Sequence, residues 1–131
     1  MNGALPDYLT VTADRPFEVG SCDCVLWCCD WVARVSGRDP AAPWRGAYRT
    51  ARAARRLVRR AGGLAPLVAG GMARAGYRQT DDPLPGDVAV VSLPQGDLMA
   101  IRTRLGWAVK SAGAVAVVAA RVVVAWRVEP A

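Results

Sequence analysis

Gly20-Ser21-Cys22-Asp23-Cys24-Val25-Leu26-Trp27-Cys28-Cys29-Asp30-Trp31-Val32 is the stretch on which the fold turns. Either Asp23 or Ser21 can accept a hydrogen bond from the free N–H groups of a first helical turn, so a helix is predicted to begin near Cys24. Val25, Leu26, Cys28, Cys29, Val32 and Val35 then face inward, and Gly37 ends the helix as a C-cap. Cys24 therefore stands at the positive end of a helix, where the dipole and unpaired N–H groups favour a thiolate. It is the candidate nucleophile, and the helix start, Asp23 and Cys24, would supply backbone oxyanion donors. The bland alternative is that all four cysteines are small buried hydrophobes, which is what most free cysteines are.

Toward the C-terminus, Ser36 to Arg45 is a turn-rich connection containing Asp39-Pro40 and Pro43. A second helix follows, with Ala47, Ala51, Ala54, Val58 and Ala61 at helical spacing and Arg49, Arg52, Arg56, Arg59 and Arg60 on the other side. Gly62-Gly63 stops it, and Leu64 to Ala75 forms a shorter third helix. Tyr77 to Pro85 is polar and proline-rich and marks a switch to strands. These run from Asp87 to Ser92, Leu98 to Thr103, Trp107 to Ser111, Ala114 to Ala119 and Val122 to Val128. Pro94-Gln95-Gly96, Leu105-Gly106, Ala112-Gly113 and Ala120-Arg121 separate them. Strands so closely spaced predict an antiparallel meander or half-barrel, and helices first with strands second make an α+β domain.

The chain has 131 residues, 53% of them hydrophobic, enough for one compact domain. Residues 1–16 read as an N-terminal extension, 17–76 as the helical half and 77–131 as the strand half. Leu105 to Ala120 is broken by Lys110 and two glycines and is shorter than the roughly 20 apolar residues of a membrane span, so it reads as buried strands. Met1 to Thr12 lacks the basic leader and apolar core of a secretory signal, and the chain is expected to fold in a cytoplasm. The net charge of +6 comes from sixteen arginines and one lysine, Lys110. Alanine is abundant too, so the bias points to a GC-rich genome as much as to a basic partner, and nucleic acid is not the expected ligand. No aromatic is interleaved with the helix arginines as a base-stacking platform would require, and a solvated face is the simpler reading. The five tryptophans sit at helix and strand positions, as core or interface anchors do.

Cys22, Cys24, Cys28 and Cys29 fall within eight residues. Neighbours on one helix cannot usually reach disulfide geometry, so they read as thiols. As a metal set they lack the paired spacing of zinc and cluster sites and have no histidine beside them. No metal and no cofactor is expected.

Phe17-Glu18-Val19-Gly20, then Asp23-Cys24, then a helix with Asp30-Trp31-Val32 and Gly37, resembles the start of the NlpC-type papain-like cysteine peptidases. Pro85-Gly86-Asp87-Val88-Ala89-Val90-Val91 is similar to that family's Gly-Asp strand opening the sheet. Gly37-Arg38-Asp39-Pro40-Ala41-Ala42, Arg45-Gly46-Ala47-Tyr48, Gly62-Gly63 and Ala125-Trp126-Arg127-Val128 extend the resemblance to a compact branch found in tail gene clusters of phages and gene transfer agents. The resemblance implies a papain-like α+β fold with the nucleophile helix packed on an antiparallel sheet. In the peptidases a histidine on the second sheet strand takes the thiol proton. That position falls at or near Leu98, and the chain contains no histidine at all.

Asp87, Asp97 and Lys110 are the substitutes to weigh. An aspartate is too weak a base to take a thiol proton near neutral pH, and a lysine is already protonated there and could at most stabilise a thiolate. The expectation is therefore a degenerate NlpC-like domain acting as a structural or assembly component of a phage-like tail, at its tip or baseplate. Its partners would be other tail proteins, and its place the virion tail, assembled in the host bacterial cytoplasm. The alternative is a virion-associated cysteine peptidase cutting peptidoglycan peptides, with Cys24 as nucleophile and a non-standard or borrowed base.

Overall fold

The computed structural model describes residues 4–112 and 114–130. Four helices precede five strands: α1 (Ala4–Thr12), α2 (Cys24–Ser36), α3 (Ala51–Ala61), α4 (Leu64–Arg74), β1 (Val88–Leu93), β2 (Gly96–Arg102), β3 (Trp107–Lys110), β4 (Val115–Val118) and β5 (Arg121–Trp126). The fold is α+β. The strands form one antiparallel sheet in the order β4-β3-β2-β1-β5, a four-strand meander from β1 to β4 with β5 returning to pair with β1. No helix among the described residues is long and apolar enough to cross a membrane.

α2 is the central helix. Asp23 is its N-cap, its carboxylate accepting the Leu26 N–H at 2.9 Å, and Gly37 closes it in the left-handed conformation at φ 80°. Val25, Leu26, Cys28, Cys29 and Val32 are buried, and so are Trp27 and Trp31, so the helix is enclosed on nearly all sides. Trp31 ties it to the sheet entrance by donating its indole N–H to the Gly86 carbonyl at 2.8 Å. Asp30, on the same helix, meets Arg15 at 3.1 Å and Arg45 at 2.7 Å, and Arg45 also pairs with Asp39 at 2.7 Å. These contacts hold the connection between α2 and α3 against the helix.

Alternation along the strands sorts the sheet into two faces. Val88, Val90, Met99, Ile101, Ala108 and Trp126 join the helices in the main core. Ala89, Val91, Ala100, Trp107, Val109 and Ala125 form a smaller cluster on the opposite face, with Leu98 packed against it.

Three departures from the sequence reading have physical causes. The N-terminal extension holds a helix, α1, whose Leu5 and Tyr8 enter the core, where the Tyr8 ring lies 5.8 Å from Trp27 and 5.4 Å from Trp31. The Tyr8 hydroxyl donates to the Trp27 carbonyl at 2.5 Å and the Trp27 indole donates to Thr12 at 2.9 Å, so tertiary contacts stabilise a helix with a short apolar pattern. Helix α3 begins at Ala51, because Thr50 caps the Ala53 N–H at 3.1 Å, leaving Ala47 and Arg49 outside it. The run from Leu105 to Ala120 is only partly buried: β3 is enclosed, whereas β4 is an edge strand and Leu105 is 90% exposed at a hairpin tip. Residues 1–3 of the expected extension and Gly113 of the expected turn lie outside the described residues.

Candidate functional site

The approach to α2 is a tight loop closed by reciprocal backbone hydrogen bonds between Glu18 and Cys22, at 3.1 and 2.8 Å. Gly20 sits in it at φ 89°, a conformation that favours glycine, and a Cβ there would stand 2.4 Å from the Tyr48 carbonyl oxygen. Its N–H donates to Asp23 at 3.1 Å, and the Tyr48 hydroxyl donates to the same carboxylate oxygen at 2.6 Å. Asp23 thus fastens the loop, the α2 start and the α2–α3 connection together. Burial, then the bond to Asp23, raises the Tyr48 hydroxyl above its ordinary value, so it remains a donor. Gly20→Ala is expected to destabilise the domain by about 2–4 kcal/mol, the sum of a left-handed penalty and a backbone collision. Chemical denaturation of the purified variant measures the loss.

Cys24 is half-buried and lines a cleft of about 380 Å³ walled by Phe17, Val19, Trp44, Leu57 and Leu67 among others. Burial pushes its thiol up to about 11. The Met99 N–H on β2 pulls the other way, the Asp23 carboxylate adds to the rise, and the N–H groups of Val25 and Cys24 oppose it. The helix start therefore does supply the stabilising N–H groups predicted for it, but removal of water outweighs them. Cys28 and Cys29 are fully buried, and burial likewise raises both thiols. Among the described residues no three histidine, cysteine or acidic side chains are grouped so as to hold a metal ion.

β2 runs beside Cys24, where the Met99 N–H reaches the thiol. Leu98 packs with the cluster on the opposite face, while Asp97 lines the cleft that Cys24 opens into. The other two substitutes are engaged elsewhere. Lys110 is 2% exposed and donates to the carbonyls of Arg15 and, at 3.4 Å, Thr12. Asp87 is 1% exposed, accepts the N–H groups of Leu84 and Val128 at 2.8 Å each, and pairs with Arg127 at 3.0 Å. Asp87 ties the segment before β1 to the segment after β5 and is not among the residues lining the cleft.

Tyr48 and the α3 wall were not singled out for the site by sequence. Tyr48 had a signal, as an aromatic in the Arg45-Gly46-Ala47-Tyr48 run. The α3 wall had none beyond amphipathicity. Across residues 2–128 the chain matches the family model of a domain of unknown function, DUF6950. No curated protein sequence and no solved structure matches it.

Proposed function

The chain belongs to the DUF6950 family, and we propose that it is a catalytically silent NlpC-like domain working as a structural or assembly component of a phage-like tail, at the tip or baseplate. One observation carries the loss of catalysis: the other titratable groups on the apolar cleft that Cys24 opens into are the carboxylates Asp23 and Asp97, the Tyr48 hydroxyl, itself donating to Asp23, and the Arg55 guanidinium, none of them a base for a thiol proton near neutral pH. Asp23 is committed to Leu26, Gly20 and Tyr48. Asp97 stands where the resemblance puts the histidine, give or take one residue, and a carboxylate cannot hold a proton taken from a thiol whose own value is about 11. The tail setting rests on the resemblance of the Gly37 to Tyr48 run and the closing Ala125-Trp126-Arg127-Val128 to proteins of tail gene clusters. A papain-like architecture is the reading of the α+β fold that this resemblance favours.

The domain and the particle that carries it are expected to leave peptidoglycan fragments uncut. Cleavage by the wild type that Cys24→Ala abolishes would sink the silent reading. Mass spectrometry of purified tails tests the setting, which falls if the chain is missing from them. The rival reading, an active cysteine peptidase, is favoured by a single feature, the presence of Asp97 on the same cleft as Cys24. It requires Asp97→Asn to remove the cleavage along with Cys24→Ala.

A further inference from the structure

α3 is unlike the other helices. None of its residues is fully buried, whereas α1, α2 and α4 each send side chains into the core. Its half-buried face, carrying Ala54, Leu57 and Val58, walls the Cys24 cleft, and Ala54 and Leu57 also rest against the edge of the main core. At 100° per residue, Arg52, Arg55, Arg56, Arg59 and Arg60 fall within an arc of about 140°, and the apolar residues take the rest of the circle. These five and Arg49 are exposed, and among the described residues none of the six makes an ion pair or a side-chain hydrogen bond. From Pro40 to Thr80 the sequence has no acidic residue. The helix is bounded by its Thr50 cap and by Gly62-Gly63, at φ 95° and 131°. It is an amphipathic rod between two turns, packed chiefly on α4.

We propose that α3 is a lid that docks on an anionic phospholipid surface, its arginines on the headgroup phosphates and its apolar face moved from the cleft into the interface, so that docking uncovers Cys24. A basic amphipathic helix with segregated faces partitions in this way, drawn by anionic lipid and held by its apolar side. A nucleic acid would satisfy the arginines but offer the apolar face nothing, and would leave the cleft closed. The proposal does not depend on whether Cys24 performs any chemistry.

The test uses the whole chain with phosphatidylglycerol-containing vesicles, pure phosphatidylcholine vesicles and duplex DNA. Flotation reads binding, and alkylation of Cys24, located by mass spectrometry, reads the lid. Binding to the anionic vesicles is expected, falling by roughly a hundredfold or more in the Arg52→Gln, Arg56→Gln, Arg59→Gln, Arg60→Gln variant and weakening with salt. Cys24 alkylation is expected to rise about tenfold on anionic vesicles and to stay unchanged with DNA. Equal binding to both vesicle types, binding to DNA alone, or retained binding by the arginine variant overturns the docking surface. Vesicle binding with no rise in Cys24 alkylation overturns the lid. Circular dichroism of the variant confirms that it is folded, and the salt series on the unmodified chain tests the charge dependence independently of it.

Discussion

Trp31→Ala should lower the unfolding free energy by about 3–5 kcal/mol, a large share of the roughly 5–15 kcal/mol that holds a domain of this size together. Three losses combine. The indole is completely buried, so its removal leaves a cavity where α2 meets the sheet. Its ring, 5.4 Å from Tyr8, is part of what keeps α1 on the core. Its N–H reaches the Gly86 carbonyl, which loses a buried partner. Urea denaturation should show the midpoint displaced, and a thermal scan a fall on the order of 10 °C. Trp31→Phe should recover the packing and not the hydrogen bond, and so fall between the two.

The second large effect is in the reactivity of Cys24. A thiol pushed up to about 11 holds, at neutral pH, about one per cent of the thiolate of an ordinary cysteine. Without a lipid surface, alkylation of the folded protein at Cys24 should therefore be about a hundredfold slower than that of the unfolded chain, with a midpoint near 11. The sign for stability follows from the same shift. Because the folded-state value is raised, the contribution of Cys24 is fully present below the ordinary thiol value of 9.0 and is lost as the pH climbs toward about 11. Cys24→Ser should remove that part of the alkaline loss. Fast labelling of Cys24 well below pH 8 would instead mean an activated nucleophile and would revive the peptidase reading.

Much of this was legible in the residues themselves. The Gly37 stop and the start of α2 at Cys24 are contests among neighbours in the chain, settled by side chains a few positions apart, whereas the choice of Asp23 over Ser21 as the cap was made by the structure. The five strands were legible for the same reason, as short alternating runs between turn residues. Helix α1 was not, since Tyr8 and Leu5 gain their value only against Trp27 and Trp31 on another helix. The resemblance puts the missing histidine at or near Leu98, next to Asp97 on β2. β2 alternates, so Asp97 and Leu98 point to opposite faces, and sequence spacing could not say which face would meet α2.

By itself the sequence determined that a cysteine would stand at a helix start, that no imidazole would be there to take its proton, and that the chain would be α+β. These depend on residue identity and on spacing over a few positions. The tertiary structure alone decided that Asp97 shares the cleft with Cys24, that Lys110 and Asp87 are engaged elsewhere, and that the thiol is held protonated. The reason is desolvation: it is set by how β2, α3 and the loop at Trp44 wall the cleft around one sulfur, and those segments lie far apart in the chain.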